Sequence, residues 1–568
     1  MPLGQAVTWT ATVSGAQAGT LAYRFRVRLA SENFHTVVDY GPKSSLTWTT
    51  IDQEGAYELE ASVRNIATGE TADTNSTFVL TSLLAGASPV ITTSANPLVY
   101  IYSAPPCSPG SRMRVEFQAF EGTAQYTPFR PCLAGLSMNF YLAGMRGGAQ
   151  YSIRQVVERG TSRNLGPVIV YTTRMTGASP AVTIDTPAVS SPLPNTHVIT
   201  PMNSRAVEEI LLQSIFLRGA VATDLSGNLL WYSPSDLTYL TSPVAGGTFL
   251  ALGEDGAKDA SYQFMREFDL AGITVAETNA ARVTEQLLGM GLRYITGFHH
   301  DARKLPDGKY LVLAASERIL SDVQGAGPVD VIGDTIVVLD ANLNVLWAWD
   351  SFDHLNPYRL AILGETCTYP AGLQCPPFFL SKTANDWLHG NAVQFTPDGN
   401  ILYSARHQDW VVKIDYNNGA GTGGVLWRLG SGGDFTIQST DPSPWFSHQH
   451  DPGFERDGTS LVLYDNGNTR AAAKPGSTSR GQVLHIDENG RTATLLLNAD
   501  LGYYSAAVGA AQKLTNGDYH FDSGFIYGPS GTYAQSVEVD NTGQERYRIE
   551  IGVSAYRSFR LRDLYTAP

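Results

Sequence analysis

At 568 residues, 43% of them hydrophobic and 16% charged, the chain is long enough for several globular domains. A net charge of −14 argues against a general affinity for nucleic acid or for an anionic membrane surface, so an anionic ligand has to be held by a local cluster of cations. No run of residues approaches the ~20 apolar residues of a membrane span.

Glycine (55) and proline (30) are plentiful and helical periodicity is scarce, which points to an all-β chain of short strands joined by turns. The opening, MPLGQAVTWTATV, lacks a charged segment followed by an apolar one, so the expectation is either a cytosolic protein or one whose export signal has been removed. Residues 1–85 read as an immunoglobulin-like sandwich: AVTWTATV, LAYRFRVRL, SLTWTTI, AYELEASVRN and STFVLTS alternate apolar and polar side chains between turns. A second β domain with its linker is expected over 86–200. Its strands are VYIYSAP, SRMRVEFQAF, MNFYLAGM, YSIRQVV and PVIVYTT, and Pro187 to Pro201 forms the linker.

Cysteine spacing bears on the compartment. Cys107 and Cys132 bracket one segment and Cys367 and Cys375 bracket the loop CTYPAGLQC, with no CxxC spacing for a metal. Two local disulfides are the simplest of three pairings and imply a periplasmic or secreted protein, four reduced buried thiols being the alternative.

From residue 201 to 568 a repeat emerges. An aspartate, a turn and a strand recur at Asp224, Asp269, Asp340, Asp415, Asp487 and Asp540, three of the copies carrying a Leu-Trp pair (Trp231, Trp347, Trp427). Between them lie phrases such as PDGKYLVLA, PDGNILYSA, RDGTSLVLYD and TNGDYHFDS. Units too small to bury their own cores stack around an axis, so six copies predict a six-bladed β-propeller as the main domain. The aspartates are turn formers and the Leu-Trp pairs are packing. Asn356 to Trp387 is an insert, and NSRAVEEILLQSIF and ARVTEQLLGM read as short helices.

Three phrases carry histidines before such turns: FHHDARKLPDG, LHGNAVQFTPDG and SHQHDPGFERDG. Aligned on Asp307, Asp398 and Asp457, they place His300, Asn391 and His450 at one offset, with His389 and His448 two residues earlier. Strand alternation then predicts that His389 and Asn391 share a face, as do His448 and His450. The phrases would supply innermost strands that aim imidazoles at one point on the channel mouth. Arg406, in YSARHQ, returns to the same rim and offers a planar fork for a tetrahedral oxyanion, with His407 expected to point away. Which of His299 and His300, and of His448 and His450, faces the site stays open. Asp301 and Asp451 read as structural neighbours.

The phrases LHGNAVQFTPDGNILYSARHQ and SHQHDPGFERDGTSLVLYDNG, with the terminal AYRSFRL, resemble the bacterial aryl-sulfate sulfotransferases that work without a nucleotide sulfate donor. The resemblance runs from about residue 200 to the C-terminus, leaving the N-terminal sandwich as an extra part. It implies that His450 is transiently sulfated, that His300 and His389 assist, and that Asn391 and Arg406 bind the sulfuryl oxygens. It implies aryl sulfates and phenols as small-molecule substrates, no cofactor, and a small disulfide loop that Cys367 and Cys375 could provide. Consistently, the chain has no Gly-x4-Gly-Lys-Ser/Thr phosphate loop. Two other classes stay open: a metal-dependent propeller hydrolase or lyase built on three imidazoles, and a non-catalytic ligand-binding propeller. Whether copies assemble into a homo-oligomer is not legible.

Overall fold

A computed structural model describes residues 1–568 except 16–17, 121, 175–195, 201–203, 217–218, 235, 255–259, 371, 373 and 530. It is all-β: among the described residues the α-helices are Ala280–Gly289, Ser351–His354 and Asn468–Ala473. The first is the helix expected from ARVTEQLLGM, capped by the Asn279 side chain, which accepts from the Arg282 backbone N–H. The other expected helix is corrected: within NSRAVEEILLQSIF, Ile210–Ile215 is a strand buried at every position and paired on both edges. A run of six residues with four large apolar side chains suits a doubly covered strand as well as a helix, and pairing decided between them. Most of the expected linker lies outside the described residues, although His197–Thr200 is a strand paired with Glu545–Ile551.

Six sheets follow, each built on four antiparallel strands, which are consecutive in the chain in five of them. Their first strands are Leu237–Val244, Gly297–Lys304, Gly390–Phe395, His450–Phe454, Ala510–Lys513 and Ala555–Leu561. Each of these contacts the next, and Ala555–Leu561 contacts Leu237–Val244, so the six form a closed ring. The chain's last strand completes the sheet of Ile210–Ile215, Gly219–Asp224 and Leu229–Tyr232, which ties the C-terminus to the start of the region.

The aspartate repeat is the turn between the third and fourth strands of every sheet. Asp224 Oδ1 accepts from the N–H groups of Ser226 and Asn228, and Asp269 Oδ1 from those of Ala271 and Ile273. Asp340, Asp415, Asp487 and Asp540 accept turn N–H groups in the same manner, a local bond that turn aspartates favour. The Asp-Gly turns join first and second strands, where Gly308, Gly399 and Gly458 take φ of 88°, 82° and 70°, a region glycine enters without steric cost. Trp231 is wholly buried and donates to the Leu270 carbonyl of the neighbouring sheet, so it joins two sheets as well as filling the gap between them. Burial of such a ring contributes roughly 2–3 kcal/mol.

The N-terminal strands do not stand apart. His35–Gly41 pairs in parallel with Thr274–Asn279, so one eight-stranded sheet runs from the ring out through Leu21–Leu29 and Gly55–Asn65 to Thr71–Leu80. A single apolar cluster contains Phe25 and Tyr57 from this part, Phe117 and Phe140 from the second β region, and Phe249 and Phe268 from the ring. Both cysteine pairs are disulfides, Cys107–Cys132 and Cys367–Cys375. The insert folds back as Thr366–Thr368 paired with Thr383–Asp386, which brings the second disulfide over one mouth of the ring.

Candidate active site

One end of the ring opens into a cavity of about 960 Å³, whose wall includes His299, His300, His389, Arg406, His407 and His450. Three first strands and one turn deliver these side chains. His300 lies in an irregular stretch of Gly297–Lys304, His389 precedes Gly390–Phe395, and His450 opens His450–Phe454. Arg406 and His407 occupy a single 3-10 turn after Ile401–Ala405.

Each of the three imidazoles has its Nδ1 engaged behind it. His450 Nδ1 lies 2.6 Å from Asn466 Oδ1. The Asn466 amide nitrogen donates to the carbonyls of Ser505 and Val508, both at 2.9 Å, so the oxygen must face the ring and His450 Nδ1 must carry the hydrogen. His389 Nδ1 is 2.6 Å from Asp386 Oδ2. His300 Nδ1 is 2.8 Å from His299 Nδ1, and the far nitrogen of His299 lies 3.0 Å from Asp334 Oδ1, near enough for attraction although not aligned for a hydrogen bond. With His299 protonated toward Asp334, His300 is the Nδ1–H donor. The Nε2 atoms of His300 and His450 then hold lone pairs, and among the described residues no protein hydrogen-bond partner meets the Nε2 of His300, His389 or His450.

Burial keeps two of these rings neutral. Desolvation pulls the His450 pKa well below the usual histidine value, aided by the Arg406 charge and only partly opposed by Asn466. His300 is pulled well below by desolvation and then by the neighbouring His389, His299 and His450. His407 is lowered by the same causes. Its Nδ1 donates to the Asp386 carbonyl at 2.7 Å, and its Nε2, 2.5 Å from Arg406 Nη1, accepts from the guanidinium.

Among the described residues, Arg406 is the cation of the cavity wall. Its Nη2 donates to the Ala506 carbonyl at 3.1 Å, its Nε has no partner, and among the described residues no carboxylate lies within ion-pair distance. Desolvation lowers its pKa, against the attraction of Glu365 and Asp386, yet a guanidinium stays charged in water at any working pH. Beneath the histidines, Arg557 is fully buried, donating to Asp301 Oδ1 at 2.8 Å and to the Asn391 carbonyl at 2.9 Å. Arg303 joins Asp301 and Asp451, so both aspartates belong to this floor.

Three expectations need correction. His407 does not point away; the strand ends at Ala405, and in the 3-10 turn the alternation of faces no longer holds. His389 and Asn391 do not share a surface: His389 lines the cavity, while Asn391 is wholly buried with its amide nitrogen on the Gln449 carbonyl at 2.8 Å and its oxygen unpartnered. His448 also parts from His450, sitting between Asp409 Oδ1 at 2.8 Å and Glu365 Oε1 at 2.5 Å. The physical reason is common to both pairs: His389 and His448 have φ of 48° and 52°, and a left-handed residue turns the following side chain off the strand's alternation.

Both members of the His299/His300 pair reach the wall. Asp386, Asn466 and His299 were not singled out as partners from sequence. Asp386 ends an insert strand and Asn466 follows a second strand, so no common offset marks them. The sets of three metal-ligating atoms within 4.8 Å of one another, among the described residues, are Glu365/His407/His448, Cys367/Cys375/Asp386 and Asp386/His389/His407. His300, His389 and His450 do not form such a set, and in the three that do, ring nitrogens are already engaged with protein groups or the sulfurs are joined as a disulfide.

The upper wall is aromatic, with Tyr239, Tyr556, Phe378, Phe525 and Tyr527 above the imidazoles. Tyr239 and Tyr556 have ring centroids 4.3 Å apart. The Glu317 carboxylate accepts the Phe379 N–H at 2.9 Å and also the Leu380 N–H, holding the insert against the sheet.

A family model described as Arylsulfotransferase (ASST) matches residues 195–559. No curated protein matches the chain. Among solved structures, the chicken interferon gamma receptor alpha chain is similar at 11% identity, over 28% of this chain and 89% of its own, with a TM-score of 0.14. That likeness carries no argument.

Proposed function

The chain belongs to the arylsulfotransferase family, matched over 195–559, and from that premise we propose that it moves a sulfuryl group from an aryl sulfate to a phenol in two displacements through a sulfated His450. The observation that carries this reading is the cavity wall itself: the neutral rings of His300 and His450 with free Nε2 atoms, and His389 backed by a carboxylate, beside a guanidinium that has no carboxylate partner among the described residues. The ring of six sheets is read as a six-bladed propeller, with residues 1–85 and 86–200 as supporting β domains; the closed circle of first strands supports this. The two disulfides support a periplasmic or secreted setting.

In the first displacement the His450 Nε2 lone pair forms an N–S bond, the S–O bond to the aryl group breaks, and its electron pair leaves on the phenolic oxygen. That oxygen takes a proton from a neighbouring histidine that enters the step protonated. The sulfated ring gains positive character, and its Nδ1–H bond to Asn466 strengthens. Arg406 meets the charge on the sulfuryl oxygens, as cationic clamps do for phosphoryl groups. In the second displacement a phenol oxygen attacks sulfur, gives its proton to the same base, and His450 leaves as the neutral ring. The aromatic wall suits an aryl group by stacking.

The test is nitrophenolate release from p-nitrophenyl sulfate with and without added phenol, chelator being present throughout. Release that depends on phenol, together with intact-mass detection of one SO3 on His450, is the expected result. Release abolished by chelation would move the reading to a metal-dependent hydrolase, and no release with unaltered ligand binding to a binding propeller.

A further inference from the structure

Three imidazoles face one cavity, and the transfer needs one that attacks sulfur and one that carries a proton. The free Nε2 atoms look alike; the groups behind them do not. His450 is backed by a neutral amide oxygen, His389 by a carboxylate, and His300 by another imidazole.

Resting on the sulfuryl-transfer reading, we propose that Asn466 and Asp386 are positioning residues that divide this work. Asn466 holds His450 as the Nδ1–H ring whose Nε2 attacks sulfur, and Asp386 makes His389 the ring that delivers a proton to the departing phenolic oxygen and recovers it from the incoming phenol.

Asn466 is wholly buried and its orientation is over-determined by two carbonyl acceptors, so it accepts from His450 and cannot donate to it. An amide oxygen fixes the tautomer without adding charge, which leaves the ring neutral and its Nε2 lone pair available. The groups acting on His450 from the neighbouring elements agree: Arg406 from the 3-10 turn, Arg557 from the last strand, and His389 and His300 from two first strands are cationic or neutral, and no carboxylate is among its main influences. A proton on His450 would therefore lack compensation.

His389 stands differently. Asp386 is 2% exposed, and its Oδ2 meets His389 Nδ1 at 2.6 Å and lies farther, at 3.7 Å, from His407 Nδ1, so His389 is the ring nearest this carboxylate. Around His389 also stand His300, with ring centroids 4.8 Å apart, His407, stacked at 4.5 Å, and His450, whose protonation a charge on His389 opposes. His407 is committed at both nitrogens. Its Nδ1 bond goes to the Asp386 backbone carbonyl, so the same residue positions both rings. A positive charge on His389 has its counter-ion in place at 2.6 Å. His300 has no such partner, since its Nδ1 meets a second imidazole whose own carboxylate lies one ring further away.

The proton balance follows. His389 begins doubly protonated, gives its Nε2 proton to the oxygen that takes the electron pair of the broken S–O bond, and regains one from the acceptor phenol when the N–S bond breaks. No other reactant is needed.

The experiment compares two donors in single-turnover sulfation. Phenyl sulfate leaves as a phenol of pKa about 10 and requires a proton, whereas p-nitrophenolate leaves readily without one. Asp386→Asn is expected to slow phenyl sulfate about 10²-fold or more and p-nitrophenyl sulfate less than about tenfold. Asn466→Asp is expected to move the acid limb of the sulfation rate upward by about one pH unit or more with both donors, because a carboxylate stabilises the protonated His450. Equal losses on the two donors in Asp386→Asn, or an unmoved acid limb in Asn466→Asp, overturn the division of labour. Should Asp386→Asn fail to fold, His389→Gln removes the same proton donor and must show the same selectivity for the poorer leaving group. Wild-type protein that forms no SO3 adduct with either donor defeats the sulfuryl-transfer reading itself, whereas an adduct with unselective variants defeats only this inference.

Discussion

The Tyr556 hydroxyl donates to the His300 carbonyl at 2.6 Å, joining the chain's last strand to a residue 256 positions earlier. The His300 N–H donates in turn to the Tyr239 hydroxyl at 2.5 Å, so two tyrosines hold both backbone groups of a histidine whose φ is 59°. A non-glycine residue persists in that region only where its surroundings impose it.

Tyr556→Phe removes one of the two holds and leaves a buried carbonyl without its donor. A loss of about 1–3 kcal/mol in folding stability is expected from the denaturant midpoint, and a drop in transfer rate of roughly 10-fold to 100-fold as His300 shifts. A variant with unchanged rate and midpoint would show that the backbone conformation is set elsewhere.

Arg406→Lys keeps the charge but replaces a planar fork with a single ammonium. Arg406 already uses Nη1 and Nη2 on His407 and Ala506, and a lysine cannot hold those contacts and meet sulfuryl oxygens together. The expected result is a fall of roughly 10²-fold in kcat/KM for an aryl sulfate. Full activity in the lysine variant would mean that charge alone suffices.

Acid destabilises this protein through its buried rings. His300, His407, His450 and His520 are all held well below the usual histidine pKa, chiefly by desolvation. In the unfolded chain each takes up a proton below about pH 6.5, while the folded chain does not until the pH is much lower. More protons bound in the unfolded state means that stability is lost as the pH falls through this window, with a limiting slope of about 1.4 kcal/mol per pH unit for each ring. Urea midpoints between pH 7.5 and 4.5 measure it, and a flat profile would count against neutral buried rings.

Asp522 acts with the opposite sign. It is wholly buried, its Oδ2 is unpartnered, and desolvation raises its pKa to about 7. The folded chain keeps this proton where the unfolded chain has lost it, so stability is present below the unfolded value and lost as the pH rises from 3.8 toward 7. Asp522→Asn should therefore match the wild type near pH 4 and exceed it by on the order of 4 kcal/mol at pH 8. A difference that does not grow with pH would mean that the carboxyl is ionised in the folded state. The same variant exposes the histidine slope without this opposing contribution.

Much of this organisation was legible in the residues because it is local. Asp224, Asp269, Asp340, Asp415, Asp487 and Asp540 bond to N–H groups of their own turns, and such bonds depend on a few adjacent residues. The common offset before Asp307, Asp398 and Asp457 took in His300, Asn391 and His450, with His389 two residues earlier, and it pointed to the neighbourhood of the three histidines because equivalent turns join equivalent strands. The strand Ile210–Ile215 was misread as helix because its six buried residues carry no period of two, and its edge partner Ala555–Leu561 lies more than three hundred residues away.

The facing of the histidines was decided in three dimensions. Alternation along a strand assumes extended backbone, and His300, His389, His448 and Asp451 all have positive φ, held there by tertiary contacts such as the Tyr239 and Tyr556 bonds to His300. Asp386 and Asn466 meet His389 and His450 across an insert and a following loop, where no repeat offset applies. The sequence by itself determined an all-β chain, the six turns and the neighbourhood of the histidines, because each depends on side-chain chemistry within a few residues. Only the tertiary structure decided which nitrogen of each imidazole is free, because a tautomer is set by the group that folding places behind the ring.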